Sequence, residues 1–198
     1  MAPTEAAALS GAGTLTNGAT GTLNIGGTCS ITNLTATAVG NIVTYNGTAQ
    51  TVKGTTYDTL NIAGSGIKAL DAVTVVNANL TINSGATLST NATFNYGLTF
   101  NGNFINNGTI SAGSSVISIS GTATQSIAGF TTTGTVSMTK ASGTATLTGN
   151  VNGAGLTING AAGTLNLGTG LTHTFTGTWT RTAGMLDGGS STLNLNGT

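Results

Sequence analysis

Apolar and polar residues alternate along most of this chain in a short phrase that recurs from one end to the other. The phrase sets Thr, Asn or Ser between two apolar residues, and Gly usually follows two positions later. Ten copies begin, in order, at Leu23, Val43, Leu60, Leu80, Leu98, Ile117, Val136, Leu156, His173 and Leu193. Successive copies lie about 19 residues apart. Alternation of this kind predicts short β-strands with one buried and one outward side.

The residues between these runs predict tight turns and no helices. The β-branched runs end in Gly, Asn-Gly or Ser-Gly, and no stretch shows an apolar helical period. Connections this short leave no room for the crossover helices of a doubly wound sheet. We therefore predict an all-β protein, a right-handed parallel β-solenoid (β-helix) of about ten coils of about 19 residues. Two or three strands per coil, and an oval or triangular cross-section, all fit the pattern.

The phrase also predicts how the coils stack. Successive coils of a parallel solenoid lie ~4.8 Å apart, so ten coils make a rod of roughly 50 Å. The first apolar residues of the phrase are expected in one column, with Leu60, Leu80 and Leu98 directly above one another. Gly at the end of the phrase is expected to supply the positive φ that a corner requires.

A longer period groups the coils. The segment Leu98–Thr122 returns as Leu171–Thr198, at an offset of about 75 residues that corresponds to four coils. We divide the chain into an amino-terminal tail or cap over residues 1–21 and a solenoid array over residues 22–198. The four-coil units of the array span residues 46–121 and 122–197, with a partial copy at 14–45.

The chain stops where the pattern predicts a further coil. A repeat array needs capping ends, because its last coil otherwise exposes unpaired backbone and the top of an apolar column. We therefore expect either flanking repeats of a longer parent chain or end-to-end stacking of subunits. The candidate stacking interface comprises Thr192, Leu193, Asn194, Leu195, Asn196, Leu15, Leu23 and Ile25.

Composition narrows the function classes. Charged residues make up 4% of the chain and the net charge is zero, against roughly 25% charged residues in an ordinary domain. The chain lacks a basic stripe for nucleic acid or anionic lipid, and its weak self-repulsion favours association with its own kind. The regular spacing of its 38% hydrophobic residues predicts order. No apolar run approaches the length of a transmembrane helix, and residues 1–10 do not have the pattern of a signal peptide.

Candidate chemistry is sparse. His173 is the only histidine and occupies an apolar position of the phrase, so we expect it to pack in the core rather than to bind a metal or act as a base. Cys29 is the only cysteine and is expected to be a small buried residue. Four charges on neighbouring coils are interpreted as solvated corner residues and not as an acid–base groove: Lys53, Asp58, Lys68 and Asp71. The sequence predicts no catalytic residue, cofactor or metal.

Threonines alternate without interruption from Thr172 to Thr182. Flat threonine arrays on solenoids resemble ice-binding surfaces. The neighbouring coils show no regular threonine lattice, so the β propensity of threonine on an outward face is the favoured explanation.

The repeats resemble those of bacterial surface proteins. The 19-residue coil is similar to that of filamentous haemagglutinin and related adhesins. The passages Val43-Thr-Tyr-Asn-Gly-Thr-Ala-Gln-Thr-Val52 and Thr59-Leu-Asn-Ile-Ala-Gly-Ser-Gly66 resemble repeats of large cell-surface proteins of Bacteroidetes-like bacteria. The resemblance covers Thr22–Thr198. It implies an extracellular location and a role in adhesion, surface display or a matrix, and it supplies no catalytic residue.

These observations favour a secreted, non-enzymatic structural protein, the subunit of a cell-surface or matrix filament built by head-to-tail stacking of solenoids. Its expected partners are further copies of itself or flanking repeats, and contact with a cell surface or polysaccharide is left open. The first alternative is a binding module, either an adhesin stalk segment or an ice-binding-like surface. A carbohydrate-active enzyme is the third.

Overall fold

The chain folds into strands that run parallel to their neighbours in stacked coils. The computed structural model describes residues 8–197, so residues 1–7 of the predicted cap and residue 198 of the array lie outside the described residues. Residues 8–197 contain strands and turns but no helix. The strands are β1 (Ala8–Thr16), β2 (Thr22–Ile25), β3 (Thr28–Thr35), β4 (Ile42–Tyr45), β5 (Gln50–Val52), β6 (Thr56–Ile62), β7 (Gly66–Leu70), β8 (Thr74–Ile82), β9 (Ala86–Ser89), β10 (Leu98–Phe100), β11 (Asn103–Asn106), β12 (Thr109–Ser111), β13 (Ile117–Ile119), β14 (Gln125–Ile127), β15 (Phe130–Thr131), β16 (Thr135–Met138), β17 (Thr144–Leu147), β18 (Val151–Gly153), β19 (Gly155–Asn166), β20 (Thr169–Phe175), β21 (Trp179–Asp187) and β22 (Ser190–Leu195).

Successive strands fall on three walls in turn. Wall 1 contains β2, β4, the second halves of β6 and β8, then β11, β14, β17 and the second halves of β19 and β21. Wall 2 contains β5, β7, β9 and β12, followed by β15, β18, β20 and β22. Wall 3 contains the first halves of β6 and β8, then β10, β13, β16 and the first halves of β19 and β21. At the amino end, β1 pairs with β3.

This arrangement confirms the predicted all-β parallel solenoid. It makes about nine turns, close to the ten predicted, and each turn contributes three strands. Walls 1 and 3 belong to one twelve-stranded sheet because four long strands run from one wall into the other, whereas wall 2 is built from two four-stranded sheets. The right-handed sense of the coil stays a prediction.

The strands form where alternation lets one side chain in two enter a shared core. Leu60 and Ile62 of β6 are fully buried, and Asn61 between them points outward and is partly exposed. The residues opposite Leu60 on wall 1 are Val43 and Leu80, so apolar side chains stack on apolar side chains along the axis. Each such burial contributes about 1.5–3 kcal/mol relative to the exposed side chain.

The predicted column of first apolar residues is wrong beyond Leu80. Leu80 lies opposite Phe104, and Leu98 lies opposite Thr74 on another wall. The cause is the long turn over residues 91–97, which makes the coil from Leu80 to Phe104 longer than the coils before it. The phrase that begins at Leu98 therefore lies on wall 3, the wall that the chain reaches just before it returns to wall 1.

Copies of the phrase consequently move from wall to wall. The copies from Leu23 to Leu80 stack on wall 1, those from Leu98 to Leu156 on wall 3, and the last two on wall 2. From Leu23 the chain makes three turns to reach Leu80 and crosses two further walls to reach Leu98. The 75-residue period thus spans three and two-thirds turns instead of the expected four coils, and each unit is rotated by one wall relative to the one before.

Gly at the end of the phrase is needed mostly for close packing, not for a positive φ. Gly64 and Gly121 do have positive φ values, of 67° and 83°. Gly102 and Gly47 do not, but a Cβ at Gly102 would overlap the carbonyl oxygen of Ala78 on the neighbouring coil. The expectation of a positive φ is therefore wrong at Gly102, where the backbones of successive coils approach too closely for any side chain.

Candidate functional site

The last copy of the phrase lies on an edge strand. Thr192, Leu193, Asn194 and Leu195 belong to β22, which pairs with β20 and has no partner on its other side among residues 8–197. The Asn196 N–H donates to the Phe175 carbonyl at 2.8 Å. Because backbone groups alternate in direction along a strand, the N–H groups of Leu193 and Leu195 face the open side.

Apolar side chains accompany this open edge. Leu195 on β22 is 47% exposed and Met185 on β21 is 58% exposed. A concave site of about 410 Å³ lies beside the edge and is lined by Thr176, Gly177, Thr178, Leu195 and Gly197. The last coil therefore presents both unpaired backbone and part of its apolar column.

The amino-terminal members of the predicted interface also lie on edge strands. Leu15 is in β1 and pairs with Leu34 of β3. Leu23 and Ile25 are in β2, which ends the twelve-stranded sheet and pairs only with β4 among the described residues. The structure thus brings the predicted interface residues to two opposite ends of the solenoid. It places Ala8–Thr16 of the predicted cap in β1, and whether this segment acts as a cap stays a prediction.

His173 is packed in the core, as its place in the phrase predicted. It is fully buried. Its Nδ1 accepts the Val151 N–H at 3.0 Å, and its Nε2 lies 2.9 Å from the Leu167 carbonyl oxygen. A neutral ring protonated at Nε2 satisfies both contacts. The two ring nitrogens therefore bond the backbone of β18 and of the corner before β20.

The four charged residues considered as an acid–base groove each form an ion pair or a hydrogen bond in the structure. Lys53 forms an ion pair with Asp71 at 3.2 Å, and the Gly40 N–H donates to Asp58 at 2.9 Å. Lys68 is fully buried, and its Nζ donates to backbone carbonyl oxygens, including that of Ser65. The interpretation of Asp58 and Lys68 as solvated corner residues is wrong, because both side chains turn inward to bond backbone groups.

Two glutamine side chains bond backbone carbonyl oxygens at corners of the solenoid, which the sequence pattern did not predict. The Gln50 side chain donates to the carbonyl oxygens of Ile25 and Gly27, both at 2.7 Å. Gln125, in the equivalent place of the next unit, makes the same pair of bonds, at 3.1 and 2.9 Å, to the carbonyl oxygens at the corresponding positions. The recurrence of glutamine with the long period was the signal that could have revealed it. Both glutamines tie one coil to the next.

A lysine completes the second of these corners. Lys140 is fully buried, and its Nζ lies 2.7 Å from both the Gln125 Oε1 and the Ala123 carbonyl oxygen. No carboxylate contacts this ammonium among its hydrogen-bond partners. Desolvation lowers the pKa of Lys140 below its usual value, and it lowers that of Lys68 likewise.

A tyrosine pair forms a second buried polar group. The hydroxyls of Tyr45 and Tyr57 lie 3.2 Å apart, and both bond the backbone of Lys53. The Tyr45 hydroxyl also lies 3.8 Å from the Cys29 Sγ, and Cys29 is buried, as predicted. Burial raises the pKa of both tyrosines above the usual value. These contacts satisfy polar atoms inside the core.

The outer face of wall 3 carries an unbroken ladder of hydroxyl side chains. Residues directly opposite one another on five successive coils are Thr99, Ser118, Ser137, Thr157 and Thr180. Of the Thr172–Thr182 run, Thr180 alone belongs to this ladder, because the run turns a corner between β20 and β21.

The comparisons with known proteins provide no relative. No family model matches the chain, and neither the curated proteins nor the solved structures contain a match. Residues 8–197 include no helix with the length and apolarity needed to cross a membrane.

Proposed function

We propose that the protein is a structural subunit of an extracellular filament, assembled by end-to-end stacking of solenoids. The observation that carries the proposal is the strand edges at the two ends, which have no partner among residues 8–197. Of these four edge strands, β1, β2 and β22 contain neither a charged residue nor a proline, and β21 carries Arg181 and Asp187. Natural edge strands usually carry such residues, because these residues block pairing with another chain.

The strand directions are compatible with this assembly. The ladders inside the molecule are parallel, so the open strands at the two ends run in the same sense around the axis. A second copy placed end to end can therefore add parallel strands, and the contact is head to tail and repeats without closing. Exposed Leu195 and Met185 would become buried in it.

An extracellular location belongs to the same proposal. Its support is the resemblance of the repeats to those of bacterial surface proteins, together with a surface that has very few charges. Uncharged, repetitive outer faces suit a matrix or cell-surface filament, in which copies of one chain lie against one another.

A proline at the open edge tests the stacking. Leu195→Pro removes an N–H that faces away from β20, whereas Leu195→Ala removes the same side chain and keeps that donor. We expect wild type and Leu195→Ala to form rods longer than one molecule as concentration rises, and Leu195→Pro to stay monomeric. Sedimentation velocity and negative-stain microscopy measure this. Wild type that stays monomeric at the highest concentration, or filaments of the proline variant, would contradict the proposal.

The hydroxyl ladder favours a second candidate function, a binding module for ice. Its five hydroxyl side chains repeat at the ~4.8 Å spacing of strands on a face that shows no bulge between β10 and β16. Ser137→Lys, in the centre of the ladder, should abolish any ice shaping by the wild type, and Thr44→Lys on wall 1 should leave it intact. Ordinary ice growth in the presence of wild type excludes this candidate.

A further inference from the structure

The turn between β9 and β10 presents an aromatic pair to solvent. Phe94 is 65% exposed, and its ring lies against that of Tyr96, with 5.5 Å between ring centres and 23° between ring planes. Tyr96 is partly buried and packs against the core. The Phe94 ring is therefore held by a tyrosine that packs against the core.

Hydrogen bonds hold the turn in a single shape. The Asn95 Oδ1 accepts the Ser114 N–H at 2.8 Å from the neighbouring coil. The Asn91 Oδ1 accepts the Thr93 N–H at 3.1 Å, and the Tyr96 N–H donates to the Thr90 carbonyl at 2.9 Å. Asn91 and Asn95 both adopt positive φ, which asparagine tolerates better than most residues. The ring pair is thus pre-organised before any ligand arrives.

The internal repeat shows that the positive φ at this place does not depend on the rings. Asn95 has a φ of 50°, and the residues one long period before and after it, Thr20 and Gly170, have φ values of 58° and 68°. The same backbone step therefore occurs three times in the chain. The residues that correspond to Phe94 and Tyr96 in the other two copies are Ala19 with Gly21, and Thr169 with Leu171. A stacked aromatic pair at this place is a property of one copy only.

The surroundings of the pair combine polar groups with two exposed valines, Val73 and Val116, beside Gly97 at the end of the turn. The nearest charged residue along the neighbouring coil, Asp71, is neutralised by its ion pair with Lys53. The sequence from residue 72 to residue 139 contains no charged residue. Thr93 and Ser114, whose backbone N–H groups belong to the hydrogen-bonded frame of the turn, also carry hydroxyl groups. A ligand that suits this place has an apolar face the size of one ring, a hydroxylated rim and no charge. Phe94 and these two valines together expose less apolar surface than a protein partner needs, since a stable interface covers roughly 800 Å² on each side.

We propose that Phe94 and Tyr96 form a binding site for a neutral sugar ring of a polysaccharide. The C–H face of the sugar stacks on the negative face of the Phe94 ring, and its hydroxyls exchange hydrogen bonds with the polar groups of the turn. The site lies on the flank of the solenoid, away from both open ends, so it operates whether or not the molecules stack.

Affinity electrophoresis in native gels that contain laminarin, galactomannan or xyloglucan tests the site, with polygalacturonate as the anionic comparison. We expect wild type to be retarded in at least one neutral gel and not in polygalacturonate. Phe94→Ala and Phe94→Leu should each weaken binding by roughly tenfold or more, and Phe94→Trp should preserve it. Val39→Ala removes apolar surface from a residue that is 81% exposed elsewhere and should change nothing.

Three outcomes overturn the proposal: no retardation in any neutral gel, undiminished binding by Phe94→Ala, or full binding by Phe94→Leu. The last would mean that the site needs an apolar surface and no ring, as a protein contact would. Leu195→Pro should bind the polysaccharide like wild type, so this result is separate from the result on stacking. Circular dichroism should show every variant folded, because the Phe94 ring is largely exposed and contributes little to the core.

Discussion

At the scale of single residues, the interior of this solenoid is held by polar side chains that bond backbone groups. His173, Gln125 and Lys140 are almost completely buried, yet each places its nitrogen or oxygen atoms against groups left free at a corner or a wall edge. A buried polar atom without a partner costs about 1–3 kcal/mol, so each of these contacts is required once the side chain is inside.

Replacing His173 by leucine tests this view. Most copies of the phrase carry Leu, Ile or Val at this position, so the apolar side chain suits the site by shape. The change leaves the Val151 N–H without its partner, whereas the Leu167 carbonyl still accepts from the Ser191 hydroxyl, and we expect a loss of about 2–3 kcal/mol in the free energy of unfolding. Urea unfolding measures it. Leu98→Val, at the corresponding position of the preceding unit, should cost about 1 kcal/mol, and an equal loss in both variants would contradict the role given to the ring nitrogens.

The buried lysines and tyrosines predict how stability varies with pH. Burial lowers the pKa of Lys68 and Lys140 below 10.5, so between that lowered pKa and 10.5 the unfolded chain binds more protons and stability rises with pH. Burial raises the pKa of Tyr45 and Tyr57 above 10.0. Above that value the unfolded chain loses phenolic protons first, and stability falls.

We therefore expect the free energy of unfolding to increase as the pH approaches about 10 from below and to decrease at higher pH. Urea titrations across this range measure it. A double variant, Lys68→Met with Lys140→Met, should lose the increase and keep the decrease. A wild-type curve that is flat below pH 10 would show that these ammonium groups are as well solvated in the folded state as in the unfolded one.

At the scale of strands, register is the property that the sequence pattern does not contain. Alternation specifies which side chains point inward, because the period of a strand is two. It does not specify which earlier strand a new strand will meet, because that depends on the length of the intervening turns. The turn over residues 91–97 is the clearest case, since it moves Leu98 from the expected place above Leu80 to a place beside Thr74.

Disulfide trapping distinguishes the two registers. Val75 and Thr99 are opposite one another on wall 3 and both point outward, at a strand separation that a disulfide can bridge. In a Cys29→Ser background, cysteines at these two positions should cross-link on mild oxidation. Thr81 and Thr99 are neighbours only in the register expected from a 19-residue coil, so that cysteine pair should stay reduced. Thiol titration and a gel shift give the result, and cross-linking of the second pair would contradict the observed ladder.

At the scale of the whole molecule, a unit of three and two-thirds turns makes the three walls equivalent in sequence. The first unit presents its phrase on wall 1, the second on wall 3 and the third on wall 2. Equivalent corners, such as those of Gln50 and Gln125, consequently lie at different angles around the axis. The walls accept the same phrase because each needs the same alternation and stands at the same distance from its neighbouring coil.

Duplicating one unit tests that equivalence. A chain in which residues 98–172 are repeated in tandem keeps natural neighbours at the new junction, because Leu98 and His173 occupy corresponding positions. We expect a cooperatively folded solenoid that is longer by about 18 Å, for three and two-thirds turns at ~4.8 Å each. Small-angle X-ray scattering and thermal melting measure length and stability. A duplication of the single repeat Leu98–Val116 inserts one full turn, because Leu98 and Ile117 lie opposite one another on wall 3, so later phrases keep their walls and the molecule should lengthen by about 5 Å. Cooperative melting of this shorter duplication together with unfolding of the 75-residue one would contradict the equivalence of the walls.

The sequence by itself determined the fold class, the positions of the strands and the 75-residue repeat. These follow from local properties: the alternation in runs such as Leu60-Asn61-Ile62, the glycines between them and the lack of room for helices.

Only the tertiary structure decided which wall each phrase occupies and where the few charged residues go. The wall depends on the summed length of the turns, as Leu98 shows, and no single phrase records that sum. Lys140 belongs inside for a similar reason. The carbonyl oxygens that receive its ammonium group come together only when the corner before β14 has folded, so a local pattern has no means of showing that a charge can be buried there.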